Sequence, residues 1–383
     1  MKPIKELHNN AMDLAEKAFL LKKRGEQKEA LLLFKEALEL EKTAAEYLPI
    51  KEESEPTRSI LFRSAASLSF NAQEYDLAER LVAAGLSGFP PYEIKEELKS
   101  LYEDVNFSRH LKTKGIILNS NQMVMTLAGN AVKYGGTAAE FLMSRLEKVS
   151  TLFYRTVERM LKKPYRISGG VEKDIKEKYG LFINAFHPSS FAVSFQIGAP
   201  EQQLQLPNFE DDVSLDPEDV VDEMMECLEV FESGDPEDLR GRISDENYYG
   251  NFVGLAKELA PDGNNINLVG FSTIRNGEDK PVSLRKKRKQ ISEGYTSSAA
   301  ENLKTNKKPR THKGTLISAN TPLKGKYGTV YLHKKDPNER LLIKVPISLM
   351  KDVVKPYYEE SVIVQGYEDD EKFYLEDISL DSE

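Results

Sequence analysis

The sequence predicts an α+β multidomain protein: an amino-terminal α-helical repeat, a central α+β sandwich with a mostly antiparallel sheet, and a small five-stranded β-barrel towards the carboxyl end. Three observations carry that expectation. Through residues 5–103 apolar side chains recur at steps of three and four, the period of an amphipathic helix. Residues 112–284 mix short alternating runs with long helical stretches in no strict order, which favours helices layered on an antiparallel sheet. Residues 314–383 then carry five short alternating runs separated by turn residues. The expected boundaries are 1–110 for the helical repeat, 111–284 for the central domain, 285–313 for a basic flexible linker and 314–383 for the barrel. A chain of 383 residues exceeds one ordinary core, in keeping with that division.

In the helical part, AMDLAEKAFLLKKRGEQKEALLLFKEALEL reads as one hairpin, with Gly25 permitting its turn. Ala18 and Ala30 are small enough for the two helices to approach closely, and Phe34 fills the space beside them. A second hairpin sets Ala66, Ala78 and Pro90 on the same template, 48 positions after the first. Ala18, Gly25, Ala30, Phe34 and Ala37 stand where a tetratricopeptide repeat places its small and aromatic packing residues, and the segment resembles that family. It departs in Lys42, which replaces the closing proline, in Gly85, and in a period longer than the usual length of about 34. The resemblance implies a surface for docking a protein partner. Leu14, Leu21, Phe62 and Arg63 are the expected contacts on its inner face.

In the central part, GIILNS and QMVMTLAG read as strands, and NAVKYGG as a further edge. Thr137 with Glu140 is the pattern of a capping box opening a long helix, whose buried face is Leu142, Leu146, Val149, Phe153, Val157 and Met160. Pro164 ends it. LFINAF and FAVSFQI follow as two strands joined by the polar turn HPSS. Asp216-Pro217 and Asp235-Pro236 are N-cap-then-proline helix starts, and another helix is expected from Glu246 to Leu259. Strands at 265–274 and 280–284 complete the domain.

The segment 285–313 has no periodic apolar face, which predicts a flexible tether. Beyond it GTLISA, GTVYLH, RLLIKV, SVIVQG and KFYLEDI are the barrel strands, with turns at DPNE and YEDDE and a helix-like insertion, ISLMKDVVKPYY, between the third and fourth. That order resembles the oligonucleotide/oligosaccharide-binding fold, which implies an affinity for nucleic acid. The middle and last segments are also similar to uncharacterised bacterial proteins, which implies a defence or stress setting.

No catalytic residue, cofactor site or metal site is expected. No Walker-type loop, zincin helix or cysteine–histidine spacing occurs. Gly325, Gly328, Val330 and Lys344 imitate a kinase glycine loop and lysine strand, but Leu323 replaces the first glycine and no catalytic loop follows. Arg155, Arg159 and Arg166 are candidate anion contacts near the end of the long helix. An enzymatic reading would require Arg155 and Arg166 to converge with His187. Cys227 lies beside an apolar helix face and reads as a buried, inert thiol. The acidic run 209–238 reads as first-turn carboxylates and a solvated face.

Net charge of −9 opposes nucleic-acid binding by the chain as a whole, but charge is segregated by segment. Arg285, Lys286, Lys287, Arg288, Lys289, Lys307, Lys308 and Arg310 are the candidate nucleic-acid contacts, with Tyr327, Tyr331 and Phe373 as stacking surfaces. A single cysteine, no apolar run of the roughly 20 residues a bilayer demands, and no signal-peptide order predict a cytoplasmic protein. The first functional expectation is a non-catalytic adaptor that docks a protein partner through the helical repeat. The alternative is a nucleic-acid-binding accessory factor using the basic linker and barrel.

Overall fold

The computed structural model describes residues 2–24, 26–108, 118–132, 136–187, 191–198, 215–275, 278–292, 295, 309–322, 325–334, 340–369 and 372–381. The chain divides into two compact units, Met1–Ile117 and Leu118–Glu383. Among the described residues no helix is long and apolar enough to cross a membrane.

The described part of the first unit is built of helices: α1 (Lys2–Lys23), α2 (Gln27–Glu46), α3 (Thr57–Asn71), α4 (Tyr75–Leu86) and α5 (Tyr92–Ser108). Successive helices pack as antiparallel neighbours, and α5 lies on both α3 and α4. The small residues read from the sequence sit at these contacts. Ala18, Ala30, Ala37, Ala66 and Ala78 are buried, and Phe34 meets Phe19 edge-on with ring centroids 4.9 Å apart.

The second unit joins two sheets. β1 (Gln122–Ala128), β2 (Leu181–His187), β3 (Phe191–Ile197), β4 (Leu268–Arg275) and β5 (Glu278–Leu284) form a sheet in the order β2-β3-β1-β4-β5. All its described pairings are antiparallel. The register lines up Val193, Met125, Phe271 and Val282 across four strands on one buried face. Helices α6 (Ala139–Met160), α7 (Lys173–Lys178), α8 (Pro217–Ser233), α9 (Pro236–Arg242) and α10 (Glu246–Leu259) accompany the sheet, with α6 packed on both α8 and α10. Asp216, Asp235 and Asp245 cap α8, α9 and α10 through their side chains, as the Asp-Pro pairs predict for the first two.

Some local expectations fail. The first half of GIILNS lies outside the described residues, and its last three residues form no strand. Asn130 and Ala131 turn instead of extending as an edge. The Thr137 capping box is absent because α6 starts after Ala138, which leaves the Thr137 hydroxyl buried without a partner. The acidic face of α8 is pinned by arginines: Arg275 reaches Glu218, Asp219 and Asp222, Arg159 reaches Glu223 at 2.7 Å, and Arg242 reaches Glu226 at 2.6 Å.

The second sheet is a closed barrel of β6 (Arg310–Asn320), β7 (Tyr327–His333), β8 (Arg340–Pro346), β9 (Ser361–Asp369) and β10 (Lys372–Leu380). β8 runs parallel to β10, and the other pairs are antiparallel. A helical insertion, 347–357, links β8 to β9. The DPNE turn lies outside the described residues.

The barrel does not stand apart on a tether. One hydrophobic core runs from the α+β layer into the barrel, and the insertion seats on α10. Gly250 and Gly254, one helical turn apart, permit the approach. A Cβ at Gly250 would lie 2.7 Å from Ser348 Oγ, and one at Gly254 would lie 2.6 Å from Leu349 Cδ2. Beside this contact Arg155 donates to Asp352 Oδ2 through Nε at 2.8 Å and Nη2 at 2.6 Å, and to Glu158 at 3.1 Å. Asn251 donates to Asp352 and to the Ser348 carbonyl, both at 3.0 Å, and Lys148 donates to the Asp352 carbonyl at 3.1 Å. Burial works against the Arg155 charge, but Tyr165, Asp352 and Glu158 outweigh it and hold its pKa above the ordinary value.

The expected linker is also folded in part. Arg288–Ser292 forms a short helix, α11, and the Tyr295 ring stacks on Phe231 with centroids 4.8 Å apart. The isolated apolar residues Ile291 and Tyr295, too few to show a period in sequence, supply the burial.

Removing the Asp352 carboxylate leaves a buried guanidinium without its main partner. Asp352→Ala is therefore expected to cost about 3–5 kcal/mol in urea unfolding. Lys173→Gln, at an exposed pair on α7, should change stability by less than about 0.5 kcal/mol. Equal midpoints for the two variants would refute this role for Asp352.

Candidate nucleic-acid interface

The outer face of β7, β8 and β10 gathers aromatic and basic side chains by strand alternation alone. On β7 Gly328, Val330 and Leu332 turn inwards and are buried, so Tyr327, Thr329, Tyr331 and His333 turn outwards. On β8 Ile343 and Val345 point in, leaving Arg340, Leu342 and Lys344 outside. Register sets Tyr331 opposite Leu342, Thr329 opposite Lys344 and His333 opposite Arg340. Lys344 is in turn paired with Tyr374 of β10. Tyr374 meets Tyr327 edge-on, with centroids 5.3 Å apart, and Tyr331 is 40% exposed. Burial and the neighbouring Tyr374 hold the Tyr327 hydroxyl above its ordinary pKa, so it remains a neutral donor.

No carboxylate stands at these outward positions of β7 and β8. Among the described residues none forms an ion pair with Lys326, Arg340, Lys344 or Lys372. The barrel's acidic residues are placed elsewhere. Asp377 accepts from Arg288, Glu368 pairs with Arg310, and Asp381 pairs with Lys313. These three carboxylates are thus paired with cations away from β7 and β8, while Asp369 of β9 stands in register with Lys372.

Within the basic segment, Arg288 is engaged by the chain's own carboxylates. Arg288 is clamped between Asp377 of β10, at 2.9 Å, and Glu258 of α10, at 2.8 Å. Burial opposes its charge, but Asp377 and Glu258 prevail, and its pKa is held well above the ordinary value. Asp377 shows the reciprocal effect: burial would raise its pKa, and Arg288 holds it below the ordinary carboxylate value. The Lys286 amide donates to Glu232 and the Lys287 amide to Gln290. Burial raises the pKa of the partly buried Glu232 above the ordinary value, with Lys286 and Arg285 pulling the other way. The Lys289 side chain, Lys307 and Lys308 lie outside the described residues. A groove of about 1260 Å³ on the β6–β9–β10 side of the barrel is lined by the Arg288, Asp377 and Glu258 clamp and by Tyr357.

The other candidates are also placed. Arg155 and Arg166 converge on Glu158, Arg166 at 2.6 Å, while Arg159 lies on Glu223, so all three guanidiniums hold carboxylates of the chain itself. Of His187 only the backbone is described. Phe373 is fully buried inside the barrel, because strand parity sends its neighbour Tyr374 outwards. The alternation in KFYLED carried that signal. In the helical unit Leu14 and Leu21 are half-buried, Phe62 is buried beneath Arg58, and Arg63 pairs with Glu97 at 3.2 Å. Burial, then Glu223, pushes the Cys227 thiol up to about 12. Among the described residues no cluster of His, Cys, Asp and Glu is arranged to hold a metal ion.

The chain matches no protein-family model, no curated protein and no solved structure.

Arg288→Gln should lower the thermal unfolding midpoint, a loss of about 2–4 kcal/mol, because it leaves Asp377 and Glu258 facing each other. Lys344→Gln, on the open face, should leave the midpoint unchanged. Thermal melts of the two variants that coincide would contradict the clamp.

Proposed function

We propose that the protein is a nucleic-acid-binding accessory factor and that single-stranded nucleic acid lies across the outer face of β7, β8 and β10. The observation that carries the reading is the union of Tyr327, Tyr331 and Tyr374 with Arg340, Lys344 and Lys372 on a surface without acidic neighbours on β7 and β8. The exposed Tyr331 and the half-buried Tyr327 and Tyr374 supply stacking surfaces that accept any base, and cations with no ion pair among the described residues attract the phosphates. Strand order β6-β7-β8-β10-β9 with a helical insertion after β8 and parallel β8–β10 pairing supports the oligonucleotide/oligosaccharide-binding reading of the barrel. In that fold the second and third strands, here β7 and β8, are the ligand face. A duplex keeps its bases stacked internally and offers this face only phosphates. The site therefore prefers single strands.

A second reading concerns the helical unit. Eight of the thirteen exposed large apolar side chains among the described residues fall within it, Phe19, Leu32 and Tyr92 among them. The buried alanines at its helix contacts support the tetratricopeptide-like interpretation, and a protein-docking role accords with both features. The protein would then bring a partner to a nucleic-acid strand. Its one cysteine suits the cytoplasm.

Fluorescence anisotropy with a labelled single-stranded oligonucleotide and its duplex tests the main reading. Single strands should bind more tightly than duplex, and Tyr331→Ala or Tyr374→Ala should each cost about 1–3 kcal/mol. Lys344→Gln should reduce the salt slope by about 0.7. Equal affinity for duplex, or full affinity after both tyrosine substitutions, would sink the proposal.

A further inference from the structure

The helical unit pairs a wholly buried carboxylate with a partly exposed histidine. Glu41 of α2 is completely buried, and both its oxygens lie 2.9 Å from Nδ1 of His8 on α1. The His8 side chain is 35% exposed, whereas Glu41 is wholly enclosed. The charged groups that act on Glu41 are His8 from α1 and Arg63 from α3, and Ser64 of α3 adds a hydroxyl hydrogen bond. Arg63 divides its charge with Glu97 of α5, 3.2 Å away. His8 is thus the only cation in direct contact with this carboxylate among the described residues.

We propose that the His8–Glu41 contact is a proton-dependent latch that holds the amino-terminal half of α1 on the first hairpin and opens as pH rises. With its shared proton the pair is neutral overall and tolerates burial. Without that proton the pair carries a net negative charge inside the hairpin, where desolvation penalises it. Moving α1 outwards admits water to the carboxylate and relieves the penalty.

The electrostatics agree in sign. Burial pushes the Glu41 carboxyl above the ordinary carboxylate range, with His8, Ser64 and Arg63 pulling the other way. A folded-state value above the unfolded one means that the contribution to stability is complete below about pH 4.3 and is lost as pH climbs through the raised value. The latch is therefore tighter in acid.

Amide hydrogen exchange on the full chain, read by mass spectrometry at about pH 4 and about pH 8 and corrected for intrinsic rates, tests this. Protection of α1 peptides should fall about tenfold relative to α4 peptides between the two conditions. Glu41→Gln, which keeps the shape and an acceptor for His8, should abolish the difference. A wild-type chain whose α1 protection is equal at both pH values overturns the proposal, whatever the variant does. So does a pH-dependent difference that persists in Glu41→Gln while α4 stays protected.

Discussion

The salt bridge from Arg155 to Asp352 fixes the architecture of the second unit. Arg155 projects from the last third of α6 and is almost wholly buried, so its charge is tolerable only where a carboxylate meets it. That carboxylate is supplied by the insertion between β8 and β9, and it collects Asn251 of α10 as well. Three segments distant in sequence are therefore committed to one arrangement. The apolar contact around Gly254 supplies the burial, while the ion pair selects the register in which that burial occurs. A hydrophobic contact alone would tolerate sliding by a fraction of a turn; a buried pair with a 2.6 Å contact does not.

Fixing the insertion fixes the whole barrel, because the insertion leads directly into β9. The Arg288 clamp adds a second point of attachment at β10. With β10 tied to α10 through Arg288, and β6 and β9 lining the groove on that side, β7 and β8 present their outward residues as open surface. Charge follows the same division. Carboxylates at Asp377, Glu368 and Asp381 answer Arg288, Arg310 and Lys313, whereas Lys344 and Arg340 have no such answer among the described residues. Among the described residues, the outward positions of β7 and β8 thereby combine basic and aromatic side chains with no carboxylate.

Much of this fold was legible from periodicity. The five barrel strands, the long helix ending before Pro164, and the Asp-Pro helix starts all lie where pattern places them, since each rests on local alternation or capping. What escaped depends on contacts between distant residues. Arg288 within RKKRK looks like solvated charge, and only the positions of Glu258 and Asp377 make it a clamp. Arg155 suggested an anion site because sequence cannot show that Asp352, 197 positions away, is its counter-ion. Gly250 and Gly254 sit within a sound helix, and nothing local reveals the helical insertion pressed against them. The tyrosine face was half legible. Tyr327 and Tyr331 follow from alternation, but Tyr374 required the parity of β10 to be followed to its end.

The central claim is that the barrel is held rigidly on the α+β layer. The most direct test is the distance between spin labels at Lys173→Cys on α7 and Tyr331→Cys on β7 in the full chain, measured by double electron–electron resonance. Both positions are exposed, and Cys227 is buried with its thiol protonated, so labelling is selective. A single narrow distance distribution is the predicted result. A broad distribution, as a barrel swinging on a flexible tether would give, would contradict the account.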